Sequence, residues 1–112
     1  MLKAKHYDLA VIESARSIEA ALRRALLQAN IDARTRGLRE LIGKAIHNQV
    51  ISSEALPLLD EIRIARNDAV HSVKPISEQL AASITDKARQ VLAMIWYPDE
   101  IRELDDNDES DA

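Results

Sequence analysis

The chain has 112 residues, of which 46% are hydrophobic and 30% are charged, and it contains no cysteine and carries a formal net charge of −4. This length allows one domain, and the lack of cysteine excludes a disulfide scaffold, a thiolate zinc site and a cysteine nucleophile. No apolar run approaches the roughly 20 residues of a membrane span, and no secretory core opens the chain, so we expect a cytoplasmic protein without membrane contact. The scarcity of glycine and aromatic residues favours helices over strands.

Four amphipathic segments follow one another along the chain, each with apolar residues at spacings of three and four. The first predicted helix runs from about Tyr7 to Ala29 and is broken by the segment 30–32. The second begins after Gly37 and ends near Asn48.

The third predicted helix begins at a serine cap, which either Ser52 or Ser53 supplies, and runs to about Ser72. Pro57 falls in its first turn, where the backbone amides have no intrahelical acceptor and proline is tolerated.

The fourth predicted helix opens at Ser77, carries an apolar stripe from Leu80 to Ile95 and is ended by Pro98. Because the connecting loops are short, successive helices should be antiparallel. The sequence therefore predicts an all-α fold, an up-and-down bundle of four main helices.

The net charge averages two unlike parts of the chain. Residues 99–112 hold eight acidic residues and one arginine, whereas residues 1–98 carry a net charge of +3. We expect a helical domain over residues 1–98 and an acidic, disordered tail over residues 99–112.

One charged residue lies within the apolar stripe of the third predicted helix. Arg66 shares this face with Ala55, Leu59, Ile62 and Ala69. A permanently charged guanidinium in such a stripe is costly unless it is paired or lines a wet cleft. Either Arg66 pairs with an acidic residue of another helix, or two subunits share this face and Arg66 points into a polar groove between them.

The polar residues that follow Arg66 favour the second alternative. Asn67 and His71 are four residues apart and therefore lie on one face of the helix. An arginine, an amide and a titratable histidine within six residues form a set that is suited to handling a phosphate. We predict a phosphate-handling site made of Arg66, Asn67 and His71, and a homodimer that forms through this face of the third helix.

The segment RNDAVH, residues 66–71, resembles the Arg-x4–6-His motif of the HEPN superfamily, including the polar residue that commonly follows the arginine. The segments SARSIEAALRRALL, LRELIGKAI and LPLLDEIRIARNDAVH also resemble the helices of HEPN-like domains. The resemblance covers roughly residues 9–96, which is most of the chain.

This resemblance implies a metal-independent endoribonuclease that acts on single-stranded RNA, in which two copies of the motif face each other across a dimer. His71 would be the general base on the ribose 2′-hydroxyl or the general acid to the leaving oxygen. Arg66 would stabilise charge on the phosphorane, and Asn67 would orient the histidine or the phosphate. The products would be a 2′,3′-cyclic phosphate and a 5′-hydroxyl, and no metal or cofactor is implied.

Two other interpretations stay open at this point. One is a non-catalytic HEPN-like dimerisation or binding module for an RNA or protein partner. The other is a small helical regulator whose Arg66 forms a structural ion pair. The resemblance also suggests a regulatory partner such as an antitoxin. Some HEPN toxins carry a tyrosine two residues after the motif histidine, where an antitoxin attaches nucleotides, and this chain has Val73 there.

Overall fold

The computed structural model describes residues 2–71 and 75–97, with side chains described from residue 7 onward in these ranges. Within them the chain forms four α-helices and no strand, which confirms the predicted all-α class. The helices are α1 (Leu2–Gln28), α2 (Leu38–His47), α3 (Leu56–His71) and α4 (Glu78–Met94), and a 3-10 turn at Ser53–Ala55 precedes α3.

The core lies where the predicted apolar stripes of the four helices meet. Helix α1 packs against each of the other three helices, and α3 also packs against α4. Each large aliphatic side chain that is fully buried contributes about 1.5–3 kcal/mol. The largest of these side chains are Val11, Ile18, Leu22 and Leu26 of α1, Leu41 of α2, Val50 of the loop, Leu59 and Ile62 of α3, and Ile84 and Val91 of α4.

The predicted start signal of α4 is confirmed, whereas the serine predicted to cap α3 caps the 3-10 turn before it and α3 itself begins at Leu56. The Ser77 hydroxyl accepts a hydrogen bond from the backbone N–H of Leu80 at 3.0 Å, which caps α4. The Ser52 hydroxyl accepts from the N–H of Glu54 at 3.1 Å and caps the 3-10 turn, and Pro57 is the second residue of α3.

A residue with a left-handed backbone lies two positions after the end of each of the helices α1 and α2. Asn30 has φ 63° and Gln49 has φ 62°. The next residue in each case donates its N–H five residues back, from Ile31 to Leu26 at 2.9 Å and from Val50 to Ala45 at 3.1 Å. This hydrogen bond satisfies a carbonyl that the helix end leaves free, so the chain turns sharply without a glycine.

Helix α4 ends earlier than the sequence predicts. It stops at Met94, and Ile95 is extended with ψ 131°, so Pro98 does not terminate it. The physical reason is a tertiary hydrogen bond, because the N–H of Trp96 donates to the carbonyl of Val50 at 2.8 Å. That bond holds the chain against the loop between α2 and α3 in place of another helical turn.

Helix α1, in contrast, begins at Leu2 and not near Tyr7, since the residues before Tyr7 contain good helix formers and no stop signal. The predicted end of the third helix at Ser72 and the whole segment 99–112 lie outside the described residues. No helix in the described part of the chain is long and apolar enough to span a membrane.

Charged contacts fix the loop between α1 and α2. The Arg34 guanidinium binds the Asp32 carboxylate with an Nη2–Oδ2 distance of 2.9 Å, and it holds the pKa of that carboxyl well below its usual range. From α1, Arg23 donates through Nη1 to the backbone carbonyl of Ala33. The loop therefore holds the Arg23 side chain against the end of the bundle.

Candidate functional site

The three predicted site residues lie in the last six residues of α3, which ends at His71. Arg66 and Asn67 are half-buried, whereas His71 is exposed at the helix terminus. An exposed imidazole at a helix end is open to solvent and to a ligand, and it carries no core packing.

Arg66 and Asn67 are joined by a side-chain hydrogen bond. Arg66 Nη1 donates to Asn67 Oδ1 across 3.4 Å. Within the described residues no carboxylate forms an ion pair with Arg66, so the structural-pair interpretation finds no partner there. The guanidinium keeps donors that a phosphate oxygen can use.

The face of α3 that carries Arg66 belongs to the interior of one copy, so the expectation that two subunits share it is wrong. Leu59, Ile62, Ala65 and Ala69 are all buried within the single chain. Arg66 is tolerated among them because its long side chain carries the charged group toward water while the stem packs on apolar neighbours.

The polar groove that we expected at Arg66 is present, but it lies between helices of one chain. It is a cleft of about 170 Å³ between α1, the start of α2 and α3. Its lining combines an apolar floor with charged groups: Ile12, Ala15, Arg16, Glu19, Leu38, Arg66 and Val70.

A second stripe of α3 faces away from this core. Ile64, Asn67 and His71 are spaced by three and four residues and therefore share one side of the helix. Ile64 is 51% exposed and is the apolar member of this stripe. Asn67 thus connects Arg66, through its hydrogen bond, with the exposed stripe that carries His71.

Two charged residues of the cleft were missed at the level of sequence. Arg16 and Glu19 lie on α1 and line the same cleft as Arg66. Their signal was their spacing, since Ile12, Arg16 and Glu19 are four and three residues apart and so share one face of α1. That face meets α3 only in the folded bundle.

Within the described ranges, no group of three or more histidine, aspartate or glutamate side chains could hold a metal ion.

Comparison with known families decides the relationship. The family model described as the HEPN domain matches residues 1–103, which includes every described helix and the RNDAVH segment. The chain belongs to the HEPN domain family. No curated protein and no solved structure matches this chain significantly. The HEPN domain match confirms the family to which the sequence was compared.

Proposed function

We propose that this HEPN protein is a metal-independent endoribonuclease that cuts single-stranded RNA at a site formed by two copies of the chain. One observation carries the proposal: the RNDAVH segment lies at the exposed end of α3 in a chain of the HEPN family. The alternatives that place Arg66 in an ion pair lack a described partner for it.

In the proposed reaction the ribose 2′-oxygen attacks the adjacent phosphorus while the bond from phosphorus to the 5′-oxygen breaks. His71 takes the proton of the 2′-hydroxyl or gives a proton to the leaving 5′-oxygen. Arg66 donates hydrogen bonds to the phosphorane oxygens, where negative charge accumulates. The products are a 2′,3′-cyclic phosphate and a 5′-hydroxyl, so the balance requires no water, metal or oxidant.

Asn67 acts as a positioning residue in this scheme. Its side-chain oxygen accepts from Arg66 Nη1, and its backbone position lies one turn before His71. The amide is neutral, so it orients the guanidinium without cancelling the charge that the phosphate needs.

The positions of the two reactive residues support a site made by two copies. At about 100° per residue, Arg66 and His71 are separated by about 140° around the helix axis. One copy therefore directs Arg66 to the cleft and His71 to the exposed stripe. A second copy that packs on the stripe around Ile64 would bring another His71 beside the first motif.

One specific observation favours a non-catalytic RNA- or protein-binding module as the second candidate. The helical body carries only +3, and of the three described aromatic residues Tyr7 lies on α1 whereas Trp96 and Tyr97 follow α4. The backbone N–H of Trp96 is hydrogen-bonded to the carbonyl of Val50, which lies near the start of α3. His71 lies at the other end of α3, and a helix of 16 residues is roughly 24 Å long. Trp96 therefore offers no stacking platform beside the motif.

Replacing His71 by alanine separates the enzyme from the module. We expect His71→Ala to abolish cleavage of single-stranded RNA, with or without EDTA, and to change the free energy of unfolding by no more than about 1 kcal/mol because the side chain is exposed. His47→Ala is the matched control, since His47 is also an exposed histidine at a helix end. This control should cleave as fast as the wild type.

The substrate gives a second control. RNA with a 2′-O-methyl group at the cut position, and DNA of the same sequence, should both resist because the attacking hydroxyl is missing. If the wild type cuts no RNA but binds RNA or a protein, the module is the correct function. If His71→Ala cleaves at the wild-type rate, the motif is not the site of the reaction.

A further inference from the structure

The cleft beside Arg66 combines surfaces of two kinds. Ile12, Ala15 and Leu38 form an apolar floor, and Val70, which is 48% exposed, stands at its edge. A space of about 170 Å³ suits one planar heterocycle and is too small for a helix or a duplex. Small-ligand sites combine apolar residues with a small number of polar groups, and this cleft has four apolar and three charged lining residues.

Glu19 is the unexpected residue of this cleft, because a carboxylate repels the phosphates of RNA. Its nearest cation is Arg23, with an Nη2–Oε1 distance of 3.7 Å, which is too long for a hydrogen bond. Arg23 is committed to the α1–α2 loop through the carbonyl of Ala33. The Glu19 carboxylate therefore lines the cleft with its acceptor capacity still available.

We propose that this cleft is a nucleobase subsite that prefers guanine, with Glu19 as the specificity-determining residue. Guanine presents two adjacent N–H donors on its Watson–Crick edge, which one carboxylate accepts side by side, whereas adenine, cytosine and uracil each present one donor group there. The apolar floor covers one face of the base, and the Arg66 guanidinium offers a plane for stacking. RNA as the source of the base rests on the proposed ribonuclease function.

Arg66 belongs both to the proposed base subsite and to the proposed site of cleavage, so one RNA strand could occupy both. Arg66 lines the cleft and also donates to Asn67, one turn before His71. A guanine in the cleft would put its own phosphodiester near Arg66, so cleavage should occur next to guanosine.

Binding of the four ribonucleoside 5′-monophosphates and of inorganic phosphate tests the subsite without any cleavage. Methyl resonances of Ile12 and Val70 are followed by NMR during each titration of the full chain. We expect guanosine monophosphate to bind more tightly than the other three by about fivefold or more, the lower end of what a bidentate base contact contributes. Glu19→Gln should remove this preference, because an amide offers one acceptor only.

Glu54→Gln is the matched control, since it removes the same charge from an exposed glutamate that does not line the cleft. Val70→Phe, which fills the cleft from its exposed edge, should weaken all four nucleotides. Equal binding of the four nucleotides, a preference that survives Glu19→Gln, or identical shifts with inorganic phosphate alone would each overturn the subsite.

The two proposals fail separately. If the wild type binds guanosine monophosphate selectively through Glu19 but cuts no RNA, the base subsite stands and the ribonuclease proposal falls. If the wild type cuts RNA through His71 without preference for guanosine, and Glu19→Gln changes neither the cut positions nor nucleotide binding, only the subsite is wrong.

Discussion

At the scale of single residues, the hydrogen bond between Arg66 and Asn67 is the contact on which the proposed site depends. It joins a half-buried guanidinium in a cleft to a residue of the exposed stripe on the other side of the helix. A neutral acceptor orients the guanidinium and leaves its full charge for a phosphate. A carboxylate in the same place would bind the guanidinium more strongly and neutralise it.

Asn67→Asp exploits this difference. We expect it to lower RNA cleavage by at least about tenfold, because the new carboxylate competes with the phosphorane for Arg66. The melting temperature should not fall, since the substitution is isosteric and adds an ion pair. Asn30→Asp, which adds the same charge at an exposed position, should leave cleavage unchanged. Equal loss in both variants would attribute the effect to net charge.

At the scale of elements, the helices follow from local signals and their ends depend partly on distant ones. The apolar stripes and the Ser77 cap are visible in the sequence because each acts within one or two turns. The end of α4 is not visible in the sequence, because it depends on the hydrogen bond between Trp96 and Val50, which are 46 positions apart. The position of Arg66 shows the same limit: its face was read correctly as an apolar stripe, but only the packing of α1 reveals that the stripe is internal.

The left-handed residue that ends α2 leads to a prediction about stability. Gln49 has φ 62°, a conformation that costs a non-glycine residue of this kind on the order of 1 kcal/mol. Gln49→Gly should therefore raise the free energy of unfolding by up to about 1 kcal/mol. The control is Gln90→Gly, at an exposed position of the last turns of α4, which should lower it by at least about 1 kcal/mol because it also removes the hydrogen bond from Gln90 to Asp86. Urea denaturation measures both, and a loss of stability in Gln49→Gly would contradict the assigned backbone conformation.

At the scale of the whole molecule, two sides of α3 have different roles in the proposal. One side faces α1 and forms the core and the cleft, while the other side exposes Ile64, Asn67 and His71. The proposed dimer uses this second side.

We expect a homodimer at micromolar concentration, with Ile64 near its centre. Ile64→Asp should convert it to a monomer, because it replaces the apolar residue of the stripe by a charge that the second copy would bury. Leu9→Asp is the control, since Leu9 is 55% exposed on α1 and outside the proposed interface. Light scattering measures the mass of each variant, and a monomeric wild type over this range would remove the two-copy site.

Cleavage by a mixed dimer tests the central claim most directly. A dimer of one Arg66→Ala chain and one His71→Ala chain, co-purified through different tags, retains one Arg66 and one His71 on opposite copies. Each variant alone should be inactive, and the mixed dimer should recover up to roughly half of the wild-type rate, because a two-fold dimer keeps one of its two equivalent pairings. A mixed dimer that forms but cleaves no faster than its inactive parents would contradict a site shared between two copies.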